Sequence, residues 1–504
     1  MAPLRTFLIF TAAFGLQRVF ASLSDNFTGA GVRAVFPGDG NYASASAAYN
    51  LRFTLEPAAV AYPSTPEEVS AIIQAGIDNN LQVVARGGGH SYVANGLGGK
   101  NGSLVIDMSS MKKIAVDSSS NTAIIETGNR LGDVALALNA AGRAMPHGTC
   151  SYVGIGGHSS FGGYGFTSRQ WGLALDTIFA INAVLANGTI VRASEDSYPD
   201  LFWALKGAAP SFAITTSIEV NTYPAPSYAI VMEYTWSNMD YEIAAKSMYS
   251  FQNFSLAGPP SPFSGELVIT KGSQEGQVTF GFTGAWYGQE GSAVPTLQSW
   301  LDTMPTPTSS SLVGDGSYID TVAQLSGKNL NTTQAADSTD TFYAKSLMTP
   351  EGDPMSFEAC SAFMQYLATE GFSSNTNWFV EVELYGGPNS KIREISNNAT
   401  AFSRRDTLFT FQLYASSSNS LPPFPEEGFT FVDDMANSIT SNMPATWNYG
   451  AYTNYIDDQL ENWQTLYFND NYPRLQSLKA QLDPNNLFMF PTNVGGTTVD
   501  ENNL

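Results

Sequence analysis

Between residues 64 and 80, STPEEVSAIIQAGIDNN, the apolar positions Val69, Ile72, Ile73 and Ile77 recur every three or four residues. That spacing predicts a helix with one apolar face. Thr65, Pro66 and Glu68 start it as a capping box with proline at the first helical position. A continuous apolar run, LQVVA (81–85), follows and predicts a buried strand. SLVIDM (103–108) and NTAIIETG (121–128) predict two more strands. RLGDVALALNAAG (130–142) returns to the helical period, with Leu131, Val134 and Leu138 inward and Gly142 as the stop.

This alternation of helix and strand lasts for about 220 residues. NTYPAPSY (221–228) then breaks it with two prolines. Beyond that point the dominant period is two, in YAIVMEYTW (228–236), GELVIT (265–270), GQVTFGFTGAWY (276–287) and NWFVEVELYGG (377–387). Such runs predict a broad antiparallel sheet with one wet face. Near the end, YPRLQSLKAQLDPNNLF (472–488) places Leu475, Leu478 and Leu482 on one helical face and stops at Asp483 and Pro484. The fold class expected is α+β in two domains, because 504 residues exceed one ordinary core.

Composition narrows the class of partner. Hydrophobic content of 43% and aromatic content of 12% belong to well-packed globular chains. A net charge of −22 disfavours nucleic acid, whose phosphates need a basic face. The N-terminal MAPLRTFLIFTAAFGLQRVFAS has an arginine, an apolar run from Thr6 to Leu16, and Val19-Phe20-Ala21 as a small-residue cleavage pattern. The run is too short to span a bilayer, so residues 1–21 are expected to be a signal peptide, with secretion and no membrane association. Six Asn-X-Ser/Thr sequons agree with export: Asn26, Asn101, Asn187, Asn253, Asn331 and Asn398. The chain has only two cysteines, Cys150 and Cys360. Either they pair with each other, or Cys150 is occupied otherwise and Cys360 is a buried thiol; the glycines around Cys150 favour the second reading.

The chemistry concentrates in two glycine-rich stretches that hold all three histidines. ARGGGHSYVANG (85–96) carries His90, and PHGTCSYVGIGGHSSFGGYG (146–165) carries His147, Cys150 and His158. Neither stretch has the G-x-G-x-x-G of a dinucleotide-binding turn, since the sixth position counted from Gly154 is Ser159. Zinc on His147, Cys150 and His158 lacks a compact fourth ligand, and no metal is expected. The G-x-S-x-G turn of serine hydrolases is absent from the chain. What fits is a flat anionic cofactor, because successive unhindered N–H groups cup phosphate oxygens and glycine allows the positive φ angles involved.

PAAVAYPSTPEEVSAIIQAGIDNNLQVVARGGGHS together with PHGTCSYVGIGGHSSFGGYG resembles the vanillyl-alcohol oxidase superfamily of FAD proteins, and within it the berberine-bridge-enzyme-like branch. The resemblance covers nearly the whole chain beyond the leader. It implies a PCMH-type FAD-binding domain at 22–225, a substrate domain at 226–450 with a large antiparallel sheet, and a segment at 451–504 that returns to the FAD domain. It also implies FAD attached covalently twice, through His90 to the flavin 8α-methyl and through Cys150 to flavin C6. Along the cofactor the same motifs would place Arg86, Gly87, Gly88, Gly89, Ser91, Ser151, Val153, Gly156, Gly157, His158 and Gly162. Of these, His158 is expected to support the cofactor loop rather than bond to the cofactor.

WFVEVELYGG (378–387), FTFQLY (409–414) and YTNYIDDQL (452–460) further resemble fungal gluco- and chito-oligosaccharide oxidases. By that resemblance Tyr455, in an N-Y-x-D motif, takes the proton of the sugar C1 hydroxyl with help from Glu383. The family's usual aspartate is a glutamate here, and Glu381 stands where an amide is often found. A phenol of pKa near ~10 is a weak base unaided, so a carboxylate that accepts its proton is needed. Alternate strand residues share a face, so Glu381 and Glu383 should point the same way. Tyr92, Thr149, Gln412 and Glu266 match sugar-contacting positions. The partners implied are an oligosaccharide and O2, and Val153, three residues after Cys150, is the small side chain that accompanies oxygen reactivity in related flavoproteins. A dehydrogenase passing electrons to a quinone, and an oxidase of a secondary metabolite, remain the alternatives.

Overall fold

The structure is a computed structural model that describes residues 23–327, 329–333 and 339–495. The expected signal peptide lies outside the described residues. The helix expected at 64–80 runs from Pro66 to Asp78, and Thr65 accepts the Glu68 backbone N–H as its N-cap. Glu68 itself reaches Ser64 instead of Thr65. Val69, Ile72 and Ile73 are buried, but Ile77 is 42% exposed, contrary to the expected face. Gly76 takes the contact position in the last turn: a Cβ there would stand 2.5 Å from Val83 Cγ2, so helix and strand approach closely and Ile77 is turned to solvent.

That helix and the expected strands build a four-stranded sheet in the order Arg33–Val35, Ala59–Tyr62, Leu104–Asp107, Val83–Arg86. The last three strands are parallel. Beside it is an antiparallel five-stranded sheet, Ile114–Asp117, Thr122–Glu126, Ala213–Asn221, Ile178–Leu185, Ile190–Ser194. Apolar residues of helix Leu131–Ala140 and of Tyr472–Leu482 pack into the same core cluster as this second sheet.

The period-two runs form one antiparallel seven-stranded sheet. Its order is Ser309–Gly316, Ala229–Asp240, Gln277–Trp286, Phe263–Lys271, Thr376–Leu384, Thr407–Ser417, Phe342–Pro350. Helices Tyr241–Leu256, Phe357–Ser373 and Glu426–Thr440 cover one face and close an aromatic-rich core around Phe251, Phe282 and Trp300. The other face was expected to be wet. Instead, every residue of Thr407–Ser417 except Tyr414 is buried. The middle of this face is roofed by loops of the first two sheets, and that contact encloses the cavity described below.

Cys360 sits in helix Phe357–Ser373, fully buried, with its thiol pushed up to about 12 by burial. No disulfide joins it to Cys150. Asn101, Asn187, Asn253, Asn331 and Asn398 are exposed, and Asn26 is half-buried. Among the described residues, no helix is long and apolar enough to cross a membrane.

Candidate active site

Strand Val83–Arg86 delivers its C-terminal end straight into Gly87, Gly88 and Gly89, where Gly89 takes φ +77°. Ligands gather outside the carboxyl ends of parallel strands because loops diverge there. The second motif crosses the first at this point. A Cβ on Gly88 would stand 2.4 Å from the Gly154 nitrogen, and a Cβ on Gly154 would stand 2.2 Å from the Gly88 nitrogen. Two backbones therefore pass at a distance that no side chain permits.

Three adjoining cavities run through the crossing. One, of about 480 Å³, is lined by Arg86, Gly87–Gly89, His90, Lys112 and Arg130 among others. A narrower one of about 200 Å³ shares the glycines and His90 with it and continues to Ser91, Tyr92, Val153, Gly157, His158 and Tyr455. The third, of about 230 Å³, shares Tyr92, Val153, His158 and Tyr455 with the second and adds Thr149, Cys150, Glu266, Glu381, Glu383 and Gln412. A groove with bare backbone and cations at one end, and an imidazole and a thiol farther along, fits a dinucleotide cofactor with an aromatic ring system.

The anchoring side chains are themselves held. His90 stacks on Tyr49, centroids 4.2 Å apart. Arg86 pairs with Asp107, with Nε donating at 2.7 Å. His158 Nε2 accepts the Gly148 N–H at 3.0 Å, which steadies the loop that carries Cys150. Burial pushes His158 down to about 3, so this acceptor is neutral. Three expected cofactor contacts do not line the groove. The Ser151 hydroxyl is turned to the Asn329 carbonyl, Gly156 packs on Thr127, and Gly162 packs on the Tyr452 ring. These residues shape the loops because their groups are already committed to protein neighbours.

The third cavity is roofed by the seven-stranded sheet. Register places Glu266 opposite Glu383, and Glu381 opposite Gln412. All four share the face toward Cys150, as alternation along strand Thr376–Leu384 requires. The Tyr455 hydroxyl donates to Glu383 Oε1 at 2.9 Å, and Gln412 Nε2 donates to the Tyr92 hydroxyl at 2.6 Å. The Tyr92 and Tyr455 rings lie nearly parallel, 6.0 Å apart. Burial raises the Glu383 carboxyl, Glu381 raises it further, and the Tyr455 hydrogen bond opposes them.

Tyr455 is fixed by its flanking residues. Asn454 donates to the His158 carbonyl and to the Tyr452 hydroxyl. Asp457 takes Lys345 and Tyr343, both from strand Phe342–Pro350. Tyr452 in turn accepts the Gly163 and Tyr164 N–H groups. The N-Y-x-D pattern is thus a tether on each side of one phenol. Asn454 and Asp457 were visible in that motif. Tyr49 and Asp107 lie far along the chain from any motif and carried no local signal.

Residues 57–194 match the FAD binding domain family, and residues 451–495 match the berberine and berberine-like family. The chain is 34% identical over 452 residues to chitooligosaccharide oxidase of Gibberella zeae, covering 89% of each. It is 36% identical over 451 residues to glucooligosaccharide oxidase of Sarocladium strictum, covering 88% of each. Its structure superposes on glucooligosaccharide oxidase of Acremonium strictum, which carries a 6-S-cysteinyl, 8α-N1-histidyl FAD. The TM-score is 0.86 at 32% identity, with 95% of this chain and all of the other covered. Fold and groove together define an FAD-dependent oxidoreductase. The chain belongs to the oligosaccharide oxidase family of berberine-bridge-type flavoproteins.

Proposed function

We propose that this protein oxidises the anomeric C1 hydroxyl of an oligosaccharide to a lactone, with O2 reduced to hydrogen peroxide. His90 and Cys150 hold the FAD covalently, and Gly87–Gly89 admit its pyrophosphate. Bound FAD supplies a two-electron acceptor beside the substrate carbon. Tyr455 takes the C1 hydroxyl proton and passes its own to Glu383 Oε1, along the 2.9 Å hydrogen bond that carries this reading. The phenol cannot act alone, because burial and then Glu383 raise it well above its ordinary value. Tyr92 offers a ring face to the sugar, and Thr149 and Gln412 line the same cavity. The sugar loses two electrons and two protons, O2 gains both, and the lactone hydrolyses to an aldonic acid.

We infer further that the protein is exported and glycosylated, with residues 22–225 and 451–504 forming the FAD module and 226–450 the substrate module. The apolar clusters support that division: one joins the five-stranded sheet to Trp463–Leu478, a second joins the four-stranded sheet to Leu487 and Phe488, and a third lies within 232–447. Val153 beside Cys150 favours direct reaction with oxygen over transfer to a quinone. Two measurements test the whole. Acid-denatured protein passed through a desalting column should keep its yellow colour, and a panel of reducing oligosaccharides should yield peroxide in air. Colour lost from the polypeptide removes the double tether, and turnover only with an added quinone removes the oxidase.

A further inference from the structure

Glu266, Glu381 and Glu383 bring carboxylate oxygens within 4.8 Å of one another in the third cavity. Glu383 is only 5% exposed, and its Oε2 is buried with no hydrogen-bond partner. Among the described residues, no side chain donates to Glu266 or Glu381. Gln412, also 5% exposed, spends its amide N–H on Tyr92 and leaves its carbonyl oxygen as a further acceptor on this wall. Among the described residues, no lysine or arginine lines the cavity, and His158 there is neutral. The pocket is an array of acceptor oxygens for which the described lining offers no cationic donor.

A neutral sugar brings hydroxyl donors but no charge, and buried carboxylates without a counter-charge are costly. A protonated amine brings three donors and one positive charge. We propose that the preferred substrate is an oligosaccharide whose reducing-end residue carries a protonated primary amine on the carbon next to C1, held by Glu381 and Glu266. The inference rests on the sugar oxidation proposed above. Substituents on neighbouring carbons sit about one hydrogen-bond length apart, roughly 2.9 Å. A C1 hydroxyl on Tyr455 and Glu383 therefore places the amine within reach of the adjacent carboxylates. Without a ligand, burial raises Glu266 and Glu383 and pushes Glu381 up to about 7. The cluster then holds protons where the substrate would supply its ammonium. A metal ion on the same three oxygens would compete with Tyr455 for Glu383.

The test separates binding from turnover. Calorimetry on the flavin-loaded Tyr455→Phe protein at about pH 6, where an amine is protonated, compares the β-1,4-linked glucosamine disaccharide with cellobiose. The amino sugar should bind at least about tenfold tighter, and adding Glu381→Gln should erase about tenfold of that preference, the scale of one charge-assisted hydrogen bond. Equal affinities, or a preference that survives both Glu381→Gln and Glu266→Gln, overturn the proposal. So does wild-type activity abolished by EDTA and restored by calcium, which assigns the cluster to a metal. Wild-type turnover of both sugars reads the oxidation itself: a binding preference with no peroxide upholds the amine site and removes the oxidase.

Discussion

Tyr455 rests protonated, since burial raises its phenol and Glu383 and Glu381 raise it further. In the proposed reaction it serves as a relay, taking one proton as it gives another, and neither it nor Glu383 is a sufficient base alone. Tyr455→Phe keeps the ring and its near-parallel partner Tyr92 but deletes the transferable proton. The expected loss is at least about 100-fold in the anaerobic rate of flavin reduction, the usual scale for general acid–base catalysis. The flavin-to-protein ratio should be unchanged. Glu383→Gln keeps the shape and removes the acceptor charge, so its loss should be comparable and the double variant little worse than either single one. Additive losses in the double variant would show two independent roles.

The site depends on elements that cross without room for a side chain. Gly88 and Gly154 belong to different motifs, and each is glycine because the other's backbone fills the space of a Cβ. Backbone cannot yield as a side-chain tip does, so Gly88→Ala should sit at the upper end of overpacking costs, about 3 kcal/mol. Calorimetry should show a lower Tm, and absorbance should show substoichiometric flavin. Gly352→Ala, where a Cβ meets nothing within 4 Å, is the matched control and should alter neither. The elements also explain where pattern reading went astray. Ile77 fits the apolar spacing, yet Gly76 makes the contact. The expected wet face of the large sheet is covered because loops from another part of the chain fold over it.

Across the whole molecule, buried carboxyls make stability depend on pH. Burial holds Glu381 at about 7, against 4.5 for an ordinary glutamate. Between those values the folded chain keeps a proton that the unfolded chain releases, so folding is favoured fully below about 4.5. That contribution is lost as pH rises through about 7. Glu381→Gln is neutral at every pH and should lack this term. Its Tm should therefore gain on that of the wild type by on the order of 2 °C as pH is raised from about 4.5 to about 7. A constant gap over that range would place the Glu381 proton elsewhere. With a net charge of −22, the wild type has other acid-dependent terms, and only the difference between the two proteins isolates this one.

Much of this was legible along the chain, because its causes are local. Helix Pro66–Asp78, the parallel strands and the period-two runs follow from side-chain spacing and capping chemistry that act over a few residues. His90, Cys150 and Tyr455 were marked by glycines and short motifs for the same reason. The stacking of Tyr49 on His90, the pairing of Arg86 with Asp107, and the turning of Ser151 to Asn329 had no such mark, since each joins positions that come together only on folding. The meeting of Glu266 with Glu383 belongs to this second kind. Strand Phe263–Lys271 and strand Thr376–Leu384 are separated by more than a hundred residues and become neighbours through sheet order. Spacing along one strand could say that Glu381 and Glu383 share a face. Only packing decided that this face is closed over, and burial is what raises three ordinary carboxyls until they hold protons.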